Sequence, residues 1–403
     1  MGLPAKNTQN LLRPIMPELD SLRGVAVLLV LFFHGFASPA DAYKFSGAAR
    51  LFFAAAVGGW TGVNLFFVLS GFLITGILFD STSRPDYYSR FYIRRALRIL
   101  PAFYLLLLLL SVLPRTGLFE QRHVGWPFIL LSFFYLANFT TLFGVPGQYA
   151  VLWSLAVEEH FYLVWPWIIR KLSSRAAMWC AAAIVLACPA LRACTYMLGY
   201  QFGARYTWLV ADGLALGSIF ALLARQWSDQ RAGTRKFVFI CLSLAITLFV
   251  VGTPLGIWRA STSFFGGVFR PMAINFFYAA LLGTALLIGT SHLKWIVNRP
   301  LLQWFGRISY GLYLIHMLAF DFVDHWILKF FPNYYAHIPD RLSVLTVRFV
   351  VSSAIAIAAA FVSRQYFEER FLRLKDRWLA RPSKNPLDLE PVTETEETAE
   401  RSA

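Results

Sequence analysis

Apolar and polar positions along the chain alternate in long blocks. Apolar runs lie at approximately 24–38, 62–80, 98–114, 126–143, 152–170, 176–195, 206–225, 236–253, 270–289, 308–327 and 344–363, separated by short basic or polar stretches. Runs of about this length suit helices that cross a bilayer. The fold class this predicts is an all-α membrane protein. No intervening loop is long enough to bury a core of its own. No repeat of the kind that relates inverted transporter halves is legible.

Loop charges constrain the count. Basic residues gather at 84–98, 170–175, 225–236, 294–307 and beyond Arg364, and the N-terminus carries Lys6, Arg13 and Arg23. Cytoplasmic loops collect Lys and Arg. Placing all these segments on that side requires an even number of spans. The run at 126–143 breaks the alternation; it contains Pro127, Asn138, Thr140 and Thr141 and ends in Gly144-Val-Pro-Gly147. It reads as a re-entrant or interfacial segment on the outer side, because irregular backbone at that depth is tolerated only against protein or a cavity. The expected architecture is a polytopic bundle of roughly ten transmembrane helices with both termini cytoplasmic. It divides into an N-terminal segment 1–17, a membrane domain 18–370 and a partly disordered tail 371–403, acidic from Pro382 onward.

Composition sharpens this picture. Of 403 residues, 58% are hydrophobic and only 15% charged, while the net charge is +15. In such a chain the basic excess follows topology, so no nucleic-acid partner is expected. The 13 Trp and 17 Tyr suit headgroup level. Cys180, Cys188, Cys194 and Cys241 form no CxxC pair and have no nearby His cluster, which argues against a disulfide framework or a metal site. The first apolar run lacks a convincing cleavage site and reads as a retained anchor.

Candidate chemistry begins at Pro17-Glu-Leu-Asp-Ser-Leu-Arg23 and ends at His34. Pro17 suits a first helical turn, and Glu18 and Asp20 suit the positive end of the helix dipole. Arg23 and His34 are eleven residues apart, which returns them to within roughly 20° of one direction and separates them by roughly 16 Å along the axis. Asp20 lies on nearly the same stripe. The bland reading is a histidine bonded to a neighbouring helix and an arginine that sets orientation; an ionisable residue at membrane depth is otherwise a functional candidate.

Other runs add polar groups. Ser70, Gly71 and Thr75 are small residues that let helices approach, and Asn64 needs a polar partner. Arg95 and Arg98, three apart, share a helix face; they either anchor the basic loop or grip an anion through forked hydrogen bonds. Trp153-Ser-Leu-Ala-Val-Glu-Glu-His160 brings Glu158 into an apolar run, with Ser154 as a candidate cap. Buried beside a histidine, Glu158 would orient the ring. Asp212 sits inside another run, and Ser309, Tyr313 and His316 follow i, i+4, i+7 spacing on one stripe.

Five stretches in order resemble the acyltransferase-3 family of membrane O-acyltransferases. They are Glu18-Leu-Asp-Ser-Leu-Arg-Gly with His34; Gly62-Val-Asn-Leu-Phe-Phe-Val-Leu-Ser-Gly-Phe-Leu-Ile-Thr75; Arg95-x-x-Arg98-Ile-x-Pro101; Trp153-Ser-Leu-Ala-Val-Glu-Glu-His-Phe-Tyr162; and Ile308-Ser-Tyr-Gly-Leu-Tyr-Leu-Ile-His316. The resemblance implies a functional Arg23–His34 pair, a functional Arg95–Arg98 pair and an acidic residue in the Trp-Ser-Leu motif, Glu158. The sequence departs from the family pattern at Asn64, where Asp is expected, at His160, where Gln is expected, and at Val210, where an arginine is expected before Asp212. Some relatives carry an appended extracytoplasmic esterase-like domain. None is expected here, which leaves room for a separate extracytoplasmic partner to complete transfer.

The function expected is transfer of an acyl group, taken as acetyl, from cytoplasmic acyl-CoA to a hydroxyl of a cell-surface glycan or its lipid-linked precursor. The setting is a bacterial inner membrane, with no tightly bound cofactor. His34, oriented by Glu158, would act as general base, with a covalent acyl-histidine as a variant. Arg95 and Arg98, with Arg23, would hold the anionic groups of CoA. Asp20, Asn64, Ser70, Asp212, Ser309, Tyr313 and His316 would form a supporting polar cavity. The competing class is a proton-coupled transporter or flippase using His34, Glu158 and His316 as a relay; a structural scaffold leaves the charged motifs unexplained.

Overall fold

The computed structural model describes residues 11–36, 47–117, 124–199, 205–259, 263–331 and 341–379. Among them the chain is helical, with no strand. The helices are α1 (Pro17–Phe36), α2 (Gly47–Gly58), α3 (Gly62–Asp80), α4 (Tyr87–Val112), α5 (Trp126–Phe133), α6 (Leu152–Lys171), α7 (Ser174–Met197) and α8 (Thr207–Val210). There follow α9 (Asp212–Gln226), α10 (Gln230–Gly252), α11 (Phe264–Val268), α12 (Arg270–Gly289), α13 (Lys294–Val297), α14 (Pro300–Phe330), α15 (Arg341–Val362) and α16 (Glu369–Leu379).

Eight described segments are long and apolar enough to cross a bilayer: Pro17–Phe36, Gly47–Asp80, Tyr87–Arg115, Ser174–Met197, Gln230–Gly252, Arg270–Gly289, Pro300–Phe330 and Leu342–Leu374. Large apolar side chains such as Leu108, Leu186, Phe239, Val250 and Val350 point outward, as a lipid-facing surface requires and a water-facing one would not tolerate in bulk. The protein is an integral membrane protein. Two expected spans fall short by length and apolarity. Glu158, Glu159 and His160 lower the apolarity of the unbroken 20-residue α6, and the run at 206–225 divides at Ala211 into α8 and the 15-residue α9. The expected ten spans therefore stand at eight by this measure.

The run at 126–143 does not cross as a helix. It forms the eight-residue α5 and a short 3-10 segment, Ala137–Phe143; eight residues reach only about 12 Å. Elsewhere the helices outrun the apolar runs. The basic stretch before Arg98 is already helical in α4, and α14 starts at Pro300. An apolar run marks only the part of a helix inside the bilayer, and the helix continues past the interface. Helix α2 has no counterpart among the expected spans. Residues 371–379, assigned to the tail, are helical, and α16 packs along α4. The disorder expected from Pro382 onward falls outside the described residues.

Lipid tails are as apolar as leucine, so close packing replaces the hydrophobic effect in holding the helices together. The most extensive pairings are α1 with α14, α3 with α9, α10 with α12 and α14 with α15. Two are built on glycine. A Cβ on Gly24 would strike the Leu302 carbonyl, and one on Gly306 would strike that of Asp20. Gly71 and Gly217 play the same part between α3 and α9, against the carbonyls of Leu214 and Val68. Asp20 lies against Gly306 and His34 against His316, so α1 and α14 run in the same direction.

Candidate functional site

Helices α1, α3, α4, α6 and α14 line a partly open cavity of ≈ 100 Å³. The sequence spacing puts its charges there. Arg95 and Arg98 project from one face of α4, Glu158 and Tyr162 from successive turns of α6, and Arg23 and Ser309 from the glycine-bound crossing of α1 and α14. Glu159 also lines it. Three guanidinium groups thus face two carboxylates.

Hydrogen bonds tie most of this lining down. Ser70 Oγ donates to Glu158 Oε1 at 2.7 Å, and Tyr162 OH donates to Ser70 Oγ at 3.2 Å. Arg23 Nη2 donates to Ser309 Oγ at 3.2 Å. The Arg95 guanidinium lies 4.7 Å over the Tyr162 ring, a cation–π contact. Tyr310 OH donates to the Ile99 carbonyl at 2.8 Å, fastening α14 to α4. Arg95, Arg98 and Glu159 make no hydrogen bond or ion pair with the described residues. The cavity therefore holds two guanidinium groups, one of them resting on an aromatic ring, and one carboxylate without a hydrogen-bond or ion-pair partner among the described residues.

The two histidines lie beyond it. His34 Nδ1 stands 3.0 Å from the Val30 carbonyl and 3.2 Å from His316 Nε2. His316 Nδ1 stands 3.1 Å from the Leu312 carbonyl. The ring centroids are 4.9 Å apart. His316 is buried and His34 half-buried. Neither lines the cavity. Tyr313 does, and its ring centroid is 6.0 Å from that of His316. Its hydroxyl meets Ser154 Oγ. Tyr313 and Ser154 thus form the partition between the charged cavity and the histidine pair. Ser154 does not cap α6: Val151 holds the cap position, and the Ser154 hydroxyl donates back to its carbonyl.

The expected partner of His34 was Glu158; the side chain that meets it is His316. Glu158 lies on the cavity side of the partition and is engaged by Ser70. The expected polar cavity also divides. Ser70, Ser309 and Tyr313 line it; Asp20, Asn64, Asp212 and His316 do not. Asp20 is half-buried at the α1–α14 crossing. Asn64 Nδ2 donates to Asn275 Oδ1 at 2.8 Å, joining α3 to α12. Asp212, at the start of α9, accepts from Arg192 Nη2 at 2.9 Å in a buried ion pair. The guanidinium that the family pattern places at position 210 arrives here from α7.

Sequence reasoning gave no role to Glu159, Tyr162, Tyr310 or Arg192, although the first three stand in stretches that carry the family resemblance. Tyr162 was legible as the i+4 neighbour of Glu158, and Arg192 as a lone cation in an apolar run. Tyr310 stands in the resembling stretch 308–316, but its role depends on α4 and is not set by its neighbours in sequence.

The family model described as an acyltransferase domain, acyltransferase-3, matches residues 16–363. The chain belongs to the acyltransferase-3 family of membrane O-acyltransferases. The peptidoglycan O-acetyltransferase OatA of Listeria monocytogenes is similar to this acyltransferase-3 chain, at 27% identity over 77% of the chain and 50% of that protein. A putative peptidoglycan O-acetyltransferase of Bacillus subtilis, YrhL, is 29% identical over 75% and 48%. A putative O-acetyltransferase of Staphylococcus aureus is 26% identical over 82% and 55%. The chain spans about half the length of the curated relatives it matches. No solved structure matches it.

Proposed function

We propose that the protein transfers an acetyl group from cytoplasmic acyl-CoA to a hydroxyl of a cell-surface glycan or its lipid-linked precursor. The setting is a bacterial inner membrane, with both termini cytoplasmic. The observation that carries this reading is the gathering of Arg23, Arg95 and Arg98 in one cavity, with His34 farther along the helix that bears Arg23. Guanidinium groups in a low-dielectric pocket suit the phosphates of CoA. Roughly 16 Å of helix separate Arg23 from His34, a span comparable to an extended phosphopantetheine arm. A donor held by its phosphates would reach past Tyr313 with its thioester toward His34. The relatives named for peptidoglycan support a glycan acceptor. Nothing in the family membership favours the transporter alternative.

His34 acts as general base. It takes the acceptor hydroxyl proton as the oxygen attacks the thioester carbonyl carbon, the C–S bond breaks, and the proton passes to the departing thiolate. Glu158, bonded to Ser70, offsets guanidinium charge in the donor cavity rather than orienting His34. The test is to incubate membranes containing the protein with radiolabelled acetyl-CoA. Label on glycan that depends on His34 is the expected result. Label held on the protein alone would assign the final step to a separate extracytoplasmic partner. Absence of any transfer or labelling, with the protein present and folded, would overturn the reading.

A further inference from the structure

We infer that His316 is a positioning residue that keeps the proton of His34 on Nδ1 and leaves the His34 Nε2 lone pair free to accept a proton. This rests on the role proposed above for His34.

The argument is one of donors and acceptors. A backbone carbonyl only accepts hydrogen bonds. His316 Nδ1 faces the Leu312 carbonyl at 3.1 Å, so Nδ1 carries the proton and the neutral ring has a bare Nε2. That bare nitrogen lies 3.2 Å from His34 Nδ1. His34 Nδ1 also faces a carbonyl, that of Val30, at 3.0 Å. A protonated His34 Nδ1 satisfies both neighbours with one shared hydrogen. The opposite tautomer at His34 would set its bare nitrogen against a carbonyl oxygen and the lone pair of His316. The opposite tautomer at His316 would set a bare Nδ1 against the Leu312 carbonyl. One arrangement of protons therefore satisfies every nitrogen–oxygen and nitrogen–nitrogen contact, and it leaves His34 Nε2 bare. His316 is 1% exposed, so bulk water does not substitute for it.

The same arrangement serves the transfer. When His34 Nε2 takes the hydroxyl proton, the imidazolium keeps Nδ1–H directed at the His316 lone pair, and the neutral partner shares the charge until Nε2 returns its proton to the thiolate. A carboxylate in this place would orient the ring equally well. A second imidazole does so without adding a formal negative charge to the membrane interior.

The experiment uses the full chain in lipid nanodiscs. Nitrogen-15 spectra of histidine-labelled protein, with the His34 signals assigned by their loss in His34→Gln, should find Nδ1 protonated and Nε2 bare in the resting protein. His316→Leu should mix the two tautomers and lower kcat at least about tenfold, within the range that general-base catalysis contributes, while KM for acetyl-CoA stays unchanged. His316→Gln, whose amide oxygen can accept from Nδ1–H, should keep more of both the tautomer and the turnover. A protonated Nε2 in the resting protein would overturn the inference, as would equal kcat in the Leu and Gln variants. The resting spectrum needs no turnover and no variant at position 316, so it remains decisive if His316→Leu fails to accumulate. Failure of the base mechanism itself would appear separately, as undiminished transfer by His34→Gln.

Discussion

The arginine cavity and the histidine pair are both polar sites among lipid-facing helices, yet they are built on opposite principles. The cavity concentrates formal charge and leaves part of it uncommitted: Arg95, Arg98 and Glu159 have no hydrogen-bond or ion-pair partner among the described residues. Arg98 is exposed and Glu159 half-buried, so both stay open to water or to an ionic guest, as an unpaired charge must because burying one is expensive. The histidine pair carries no formal charge in its satisfied form. Three of its four ring nitrogens have partners within 3.2 Å, two backbone carbonyls and each other. On the proposed function, the first region would hold the anionic groups of the donor and the second would present a single basic nitrogen. Separating them would keep the charge that binds the donor away from a group that has to stay neutral to accept a proton.

That comparison fails if binding and chemistry do not separate under mutation. The largest effect is expected from His34→Gln, which keeps shape and polarity but removes basicity. Acyl transfer per folded protein should fall by about 10²–10⁴-fold, with KM for acetyl-CoA unchanged. Near-normal turnover would return His34 to the status of a satisfied core histidine. Replacing both Arg95 and Arg98 with Ala should do the reverse, raising KM for acetyl-CoA by about 10–100-fold, the scale of losing one charged hydrogen bond at about 1.5–3 kcal/mol. The paired Lys variant should recover only part of this, because an ammonium cannot make the forked contact. An unchanged KM in the Ala double variant would remove the donor from this cavity.

Glu158→Gln sharpens the boundary between the regions. Held by Ser70 on the cavity side, it should shift KM by less than about tenfold, the scale of one net hydrogen bond. Its effect should add to that of His34→Gln, because the two groups share no contact. Non-additive kinetics would place Glu158 in one unit with His34. The smallest effect concerns the joint that registers the two regions. Gly306→Ala drives a Cβ into the Asp20 carbonyl, and overpacking of this kind costs about 1–3 kcal/mol. Thermal stability should drop modestly, and kcat and KM should both worsen, because Arg23–Ser309 and His34–His316 bridge the same pair of helices. A change in only one of the two constants would mean that the crossing does not set both sites.

Much of this was open to reading along the chain. Apolar runs located the crossing helices, and 3.6-residue spacing placed Arg23 with His34, Arg95 with Arg98, and Ser309 with Tyr313 and His316. Proline and polar residues marked 126–143 as a segment that does not cross. These are local properties, because helical geometry is set within a few residues. Partners were another matter. Glu158 was expected to orient His34, yet it belongs to Ser70; His34 belongs to His316, and Asp212 to Arg192. Which residue meets which across helices depends on crossing angle, rotation and axial register. Glycine contacts such as Gly24 with Leu302 and Gly306 with Asp20 decide these between segments nearly three hundred residues apart. The sequence alone determined which faces are polar and where along each helix they lie; the tertiary structure decided which of those faces meet, because only packing brings distant helices into register.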